Sequence, residues 1–118
     1  MGYDIRFYIV KKYNTSKNED DRYYAEVIAK YEYCKDYNLL DFCDTFKDTN
    51  CYIYDVLDEP ILEDCYGDNL KEIPVNDMIE YLEKHPDDYW RYAPFLSMLK
   101  AFDNFAKNDE LVILKYGH

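Results

Sequence analysis

Residues 3–10 alternate in polarity, with Tyr3, Ile5, Phe7 and Ile9 on one side and Asp4, Arg6 and Tyr8 on the other. A period of two sends successive side chains to opposite faces, so the run predicts a strand with one buried face. The polar stretch from Asn14 to Asp21 reads as a loop. Residues 22–33, rich in Tyr, Val and Ile, predict a second strand with Ala25, Val27, Ala29, Tyr31 and Tyr33 on one side. A long hairpin would join the two, although no tight-turn dipeptide specifies it.

The period then changes. Leu39, Phe42, Cys43 and Phe46 recur at helical spacing after Asn38, which predicts a short helix with an Asn cap that closes before Asp48. Cys51–Val56 and Ile61–Tyr66 read as two further strands, joined by a turn at Asp58-Glu59-Pro60, with another turn at Gly67-Asp68-Asn69. Val75, Met78, Ile79 and Leu82 form the apolar stripe of a second helix that begins near Pro74 and stops at Pro86. Asp87 and Asp88 are placed to cap a following turn. Pro94 suits the first position of a third helix whose stripe is Phe95, Met98, Leu99, Phe102 and Phe105. The run Leu111, Val112, Ile113 and Leu114 predicts a last strand in the interior of the sheet, buried on both faces. The fold class is therefore α+β: one domain over 1–118, a mainly antiparallel sheet of about five strands, and two to three helices.

No run approaches 18 consecutive apolar residues, so no apolar membrane-spanning helix is expected. The charged, strand-like first residues are unlike a signal peptide, which makes the cytoplasm the expected location. Cys34, Cys43, Cys51 and Cys65 contain no Cys-x-x-Cys pair, so they read as reduced thiols, mostly buried, rather than as a zinc site.

Charge changes the picture more than composition does. The formal net charge is −11 in 118 residues, and it is concentrated in residues 41–88. Between Lys47 and Lys71 there is no basic residue, while Asp48, Asp55, Asp58, Glu59, Glu63, Asp64 and Asp68 all fall there. Clustered like charges raise the free energy of the compact state, so solubility alone does not account for them.

The same charge excludes direct nucleic-acid binding, because affinity for a phosphate backbone comes largely from Lys and Arg. Nucleophilic catalysis finds little support. The two histidines are His85, at a helix end, and His118, with no motif tying either to a cysteine. No calcium-loop series is present, the three glycines outline no phosphate loop, and no lysine follows an acid by two positions as in common metal-dependent nucleases. No cofactor, metal site or enzymatic activity is expected.

The wrong sign for a nucleic acid is the right sign for a protein that binds a nucleic-acid-binding protein. Asp77, Glu80, Glu83, Asp87 and Asp88 would extend about 16 Å if helical, roughly one carboxylate per 4 Å. One DNA strand carries a phosphate about every 3.4 Å. Tyrosine adds to this reading, since its rigid ring supplies apolar area with a polar tip at interfaces. Tyr3 and Tyr31 belong to the core by period. Tyr54, Tyr66, Tyr81, Tyr89 and Tyr92 interleave with the acids and are expected to be exposed.

The expected partner surface thus comprises Asp55, Asp58, Glu59, Glu63, Asp64, Asp68, Asp77, Glu80, Glu83, Asp87 and Asp88, with Tyr54, Tyr66, Tyr81 and Tyr89. In character the chain resembles phage anti-restriction and anti-CRISPR proteins, and in composition the immunity proteins that neutralise bacterial nuclease toxins. The similarity is one of type, and no functional residue carries over from it. It implies an inhibitor occupying the cationic groove of a basic, nucleic-acid-processing enzyme. Two other classes stand beside it: a phage or plasmid accessory module binding through a Tyr-rich apolar patch, and a small carboxylate-dependent hydrolase. Either a monomer or a homodimer is compatible.

Overall fold

The computed structural model describes residues 4–33, 37–56, 58–85, 92–105 and 111–118. Its frame is a long hairpin of β1 (Ile5–Lys17) and β2 (Tyr23–Tyr33). The stretch from Asn14 was expected to be loop, but β1 continues through it to Lys17. The chain turns on Asn18, whose side chain accepts hydrogen bonds from the backbone N–H groups of Asp20 (3.1 Å) and Arg22 (3.0 Å). Asp21 takes the left-handed conformation at φ 62°. A single Asn that satisfies the turn's own donors does here what an Asn-Gly pair does in shorter hairpins.

The pairing register moves from Ile9↔Ala29 to Val10↔Val27, which leaves Ile28 as an extra residue in β2. This bulge switches the faces of β2. Ala29 and Tyr31 point to one side of the sheet with Ile9 and Phe7, while Ala25 and Val27 point to the other with Val10. The single apolar face expected for residues 22–33 is therefore two half-faces.

The sheet order is β3-β2-β1-β5-β4, with β3 at Cys51–Tyr52, β4 at Lys71–Pro74 and β5 at Leu111–Gly117. All pairings are antiparallel except the short β2–β3 contact, so the sheet is mixed. The interior position expected for the last strand is found: β5 lies between β1 and β4, and Val112, Ile113 and Leu114 are buried on both faces. Of the two strands expected over 51–56 and 61–66, only Cys51–Tyr52 forms. The rest is irregular chain tied by the isolated bridges Ile53↔Ile61 and Glu63↔Asn69.

Three helices, α1 (Tyr37–Asp44), α2 (Val75–Lys84) and α3 (Tyr92–Phe105), cover one face. Asn38 lies one residue inside α1 rather than at its cap, Phe46 lies beyond its end, and Pro94 is the third residue of α3. Pro74 ends β4 and caps α2, where its missing N–H interrupts no ladder. The expected stripe of α2, Val75, Met78, Ile79 and Leu82, is buried. With Leu39, Cys43, Phe95 and Leu99 it packs on Ile5, Phe7, Ile9, Ile73 and Ile113. The Phe95 ring stacks on both Phe7 (5.1 Å) and Tyr31 (4.8 Å).

The opposite face is buried too, contrary to the one-sided strand expected at 3–10. Tyr8, Val10, Ala25, Val112 and Leu114 pack under Cys51, Ile53 and Leu70. What covers them is the acidic segment 53–70. Ile53, Ile61 and Leu70 point inward, while most of the carboxylates and also Tyr54, Val56 and Tyr66 are exposed. Tyr3, Cys34, Pro86, Asp87, Asp88 and Tyr89 lie outside the described residues.

Candidate functional site

The acidic cover is pinned to the sheet through Asp55, whose side chain is only 13% exposed. Lys30 Nζ approaches one carboxylate oxygen at 3.0 Å, and Tyr8 Oη donates to the other at 2.9 Å. Arg6 lies 3.5 Å from the same group, donates to Tyr8 Oη at 3.0 Å, and pairs through Nε with Glu32. His118 Nε2 reaches Glu32 at 3.0 Å. The Arg6 guanidinium also lies 5.8 Å and 5.7 Å from the Tyr8 and Tyr116 ring centres.

The electrostatics follow from this geometry. Burial pushes the Tyr8 phenol up to about 12, with Asp55 adding to the rise and Arg6 opposing it. Burial acts to raise the Asp55 carboxyl, but Lys30, Tyr8 and Arg6 outweigh it and hold the group below the ordinary carboxylate range. At Glu32 burial is likewise outweighed by Arg6 and His118, and that carboxyl is lowered. A second buried acid, Glu72, accepts from Thr49 Oγ1 at 2.9 Å and faces Lys12 at 3.3 Å. These carboxylates serve the fold.

The remaining acids of the cover are free for other work. Asp58, Glu59, Glu63 and Asp68 are exposed, and among the described residues no Lys, Arg or His reaches them. Asp64 is committed to its turn, where Oδ1 accepts from the N–H groups of Tyr66 (2.9 Å) and Asp68 (3.0 Å). Gly67 completes that turn at φ +80°. Glu59, Glu63 and Asp64 line a cleft of about 620 Å³ between the cover and the sheet, with Arg6 and Tyr116 at its base.

On α2 the acids are largely matched. Glu80 pairs with Lys84 at 2.9 Å and Glu83 with Lys100 at 3.3 Å, leaving Asp77 without a cation partner among the described residues. A smaller cleft of about 290 Å³ runs past Asp77 and Glu80 beside Phe42 and Tyr81. Because α2 packs on one sheet face and the cover on the other, the two acidic groups are separated by the layers of the fold, about 20 Å at ~10 Å per layer. At ~0.1 M salt the screening length is about 10 Å, so they do not act as one field.

The tyrosines divide in the same way. Tyr54 (41%) and Tyr66 (55%) are exposed, as expected from sequence, and Val56 beside them is 85% exposed. Tyr81 is half-buried against Phe42 and His85, and Tyr92 is fully buried, so neither is the exposed ring anticipated. Tyr54 belongs to a cluster with Tyr13, Tyr24 and Tyr52, three residues outside the expected partner surface. The available signal was their alternation with Ala25, Cys51 and Ile53.

Cys43 and Cys51 are buried, and Cys65 is exposed. Burial raises the Cys51 thiol. Among the described residues no three His, Cys, Asp or Glu side chains converge where a metal ion would sit, and no helix is long and apolar enough to cross a membrane. No known protein family, curated protein or solved structure matches the chain.

Proposed function

We propose that the protein is a non-enzymatic binding protein whose acidic cover docks into a cationic groove of a basic partner, of the kind that processes nucleic acids. One observation carries this reading: Asp58, Glu59, Glu63 and Asp68, all in the cover segment, are exposed with no cation partner among the described residues. Elsewhere the chain pairs its acids readily, as at Glu72, Glu80 and Glu83. An uncompensated patch raises the local concentration of cationic partners and speeds encounter, and its pull weakens with salt. The cover, rather than α2, is the mimicking surface, because the α2 acids are largely spent on their own lysines.

The test combines Asp58→Lys, Glu59→Lys and Glu63→Lys in one variant, used as bait with the wild type in host lysate at about 0.1 M and 0.5 M salt. The expected result is a basic nucleic-acid enzyme retained by wild type at low salt, released at high salt, and absent with the folded variant. A partner held equally by both proteins at both salt concentrations refutes the electrostatic mechanism. Asp55 and Asp64 are spared in this variant because both hold the cover in place. Glu80 is spared because Lys84 already neutralises it.

A further inference from the structure

The fold contains a worked example of how it binds a guanidinium. Tyr8 and Tyr116 stand edge to face, with ring centres 6.1 Å apart and planes at 84°. Arg6 sits within 6 Å of both rings and is paired to carboxylates at Asp55 and Glu32. This combination favours Arg over Lys, because a planar guanidinium stacks on rings and bridges carboxylates, whereas an ammonium is a compact, strongly hydrated charge.

A second edge-to-face tyrosine pair lies nearer the surface. Tyr52 and Tyr54 are 5.6 Å apart with planes at 84°. Both point away from the side on which Cys51 and Ile53 are buried. Tyr24 completes a cluster with the pair, 5.8 Å from Tyr52 and 6.0 Å from Tyr54, and is itself stacked on Tyr13. Asp58 supplies the carboxylate. It is exposed and follows Tyr54 by four residues, and its charge adds to burial and Tyr52 in raising the Tyr54 phenol. Lys11 lies over Tyr13 and Lys17 over Tyr23, yet among the described residues no cation of the chain covers Tyr24, Tyr52 or Tyr54.

We propose that Tyr52, Tyr54 and Asp58 form a docking site for an arginine side chain of the basic partner. The assignment rests on the acidic-cover reading above and narrows it: the partner presents an arginine at the margin of its groove, and the tyrosine pair selects it over lysine. Charge complementarity fixes the occupant, since Asp58 and the neighbouring Glu59 leave the site negative and the chain offers no cation of its own.

The test uses acetylated hexa-arginine and hexa-lysine peptides at one fixed ionic strength. Affinity is read by titration, and ring resonances of the tyrosines are followed by NMR. Wild type is expected to bind hexa-arginine about five-fold more tightly than hexa-lysine. Tyr54→Leu should abolish that preference while leaving hexa-lysine affinity unchanged, and Tyr54→Phe, which keeps the ring, should retain it. Equal affinity for the two peptides, or a preference that survives Tyr54→Leu, overturns the arginine site while the acidic reading stands. Binding of neither peptide overturns both. Sedimentation of the wild type is the control: a dimer that Tyr54→Leu dissociates would put a second copy on the rings and overturn the assignment.

Discussion

Asp55 offers a quantitative check on how the cover is held. Replacing it with asparagine keeps an acceptor for the Tyr8 hydroxyl but removes the charge facing Lys30 at 3.0 Å and Arg6 at 3.5 Å. Hydrogen bonds to charged groups contribute about 1.5–3 kcal/mol each. Lys30 is 43% exposed and rehydrates when released, so its share is discounted, and Arg6 keeps Glu32. The net loss expected for Asp55→Asn is about 2 kcal/mol. Asp55→Ala also leaves the Tyr8 hydroxyl proton without its acceptor, although Arg6 still donates to that oxygen, and should lose about 3–4 kcal/mol. In a chain of this size about 2 kcal/mol lowers Tm by roughly 6–12 °C.

The pH dependence of that loss makes the reasoning refutable. The native Asp55 carboxyl lies below its ordinary value, so its contribution is fully present above the unfolded-state pKa of about 3.9. It is lost as pH falls through the depressed native value. Urea denaturation followed by circular dichroism should therefore show the full gap between wild type and Asp55→Asn at pH 7. The gap should narrow as pH falls below about 3.9 and close only once the depressed native carboxyl is itself protonated. A gap under about 0.5 kcal/mol at pH 7, or one that persists undiminished in acid, refutes the ion network as the anchor.

Other perturbations give contrasting outcomes. Phe95→Ala removes a ring stacked between Phe7 and Tyr31 and should cost about 3–5 kcal/mol in urea denaturation. Glu80→Gln breaks only an exposed pair with Lys84, and the same assay should register no measurable loss. Gly67→Ala meets no atom within 4 Å, so its loss should be the conformational strain at φ +80° alone, about 1 kcal/mol. In a Cys34→Ser background, a thiol reagent should label Cys65 in the native protein while Cys43 and Cys51 react only after denaturation.

Where the sequence was legible, one physical rule governed the segment. Helix α2 has four apolar residues at helical spacing between two prolines, and nothing in the fold opposes that pattern. The run Leu111–Leu114 has no polar position, and only a strand covered on both faces tolerates it. The errors occurred where two demands compete. Tyr8 looks like an outward-facing residue of β1, yet its ring is buried while its hydroxyl meets Asp55, 47 residues away. The bulge at Ile28 inverts a pattern that reads as unbroken alternation. Residues 53–69 have strand-like composition but lack a partner strand, so they fold as a tied cover. The charge imbalance in that segment was plain from sequence. Which acids the fold consumes and which it leaves outside depended on Lys30, Arg6, Lys84 and Lys100 arriving from distant positions.

The cover also separates two tasks among neighbouring residues of one segment. Ile53, Asp55, Ile61 and Leu70 attach it to the sheet, whereas the side chains of Asp58, Glu59, Glu63 and Asp68 are exposed and form no ion pair among the described residues. Substitutions in the second set leave the anchoring contacts untouched and fall in the class of surface changes worth within about 0.5 kcal/mol. The charge pattern of the cover can therefore change with little effect on folding. Under the docking reading proposed above, this surface is open to revision residue by residue while the sheet, helices and anchors stay the same.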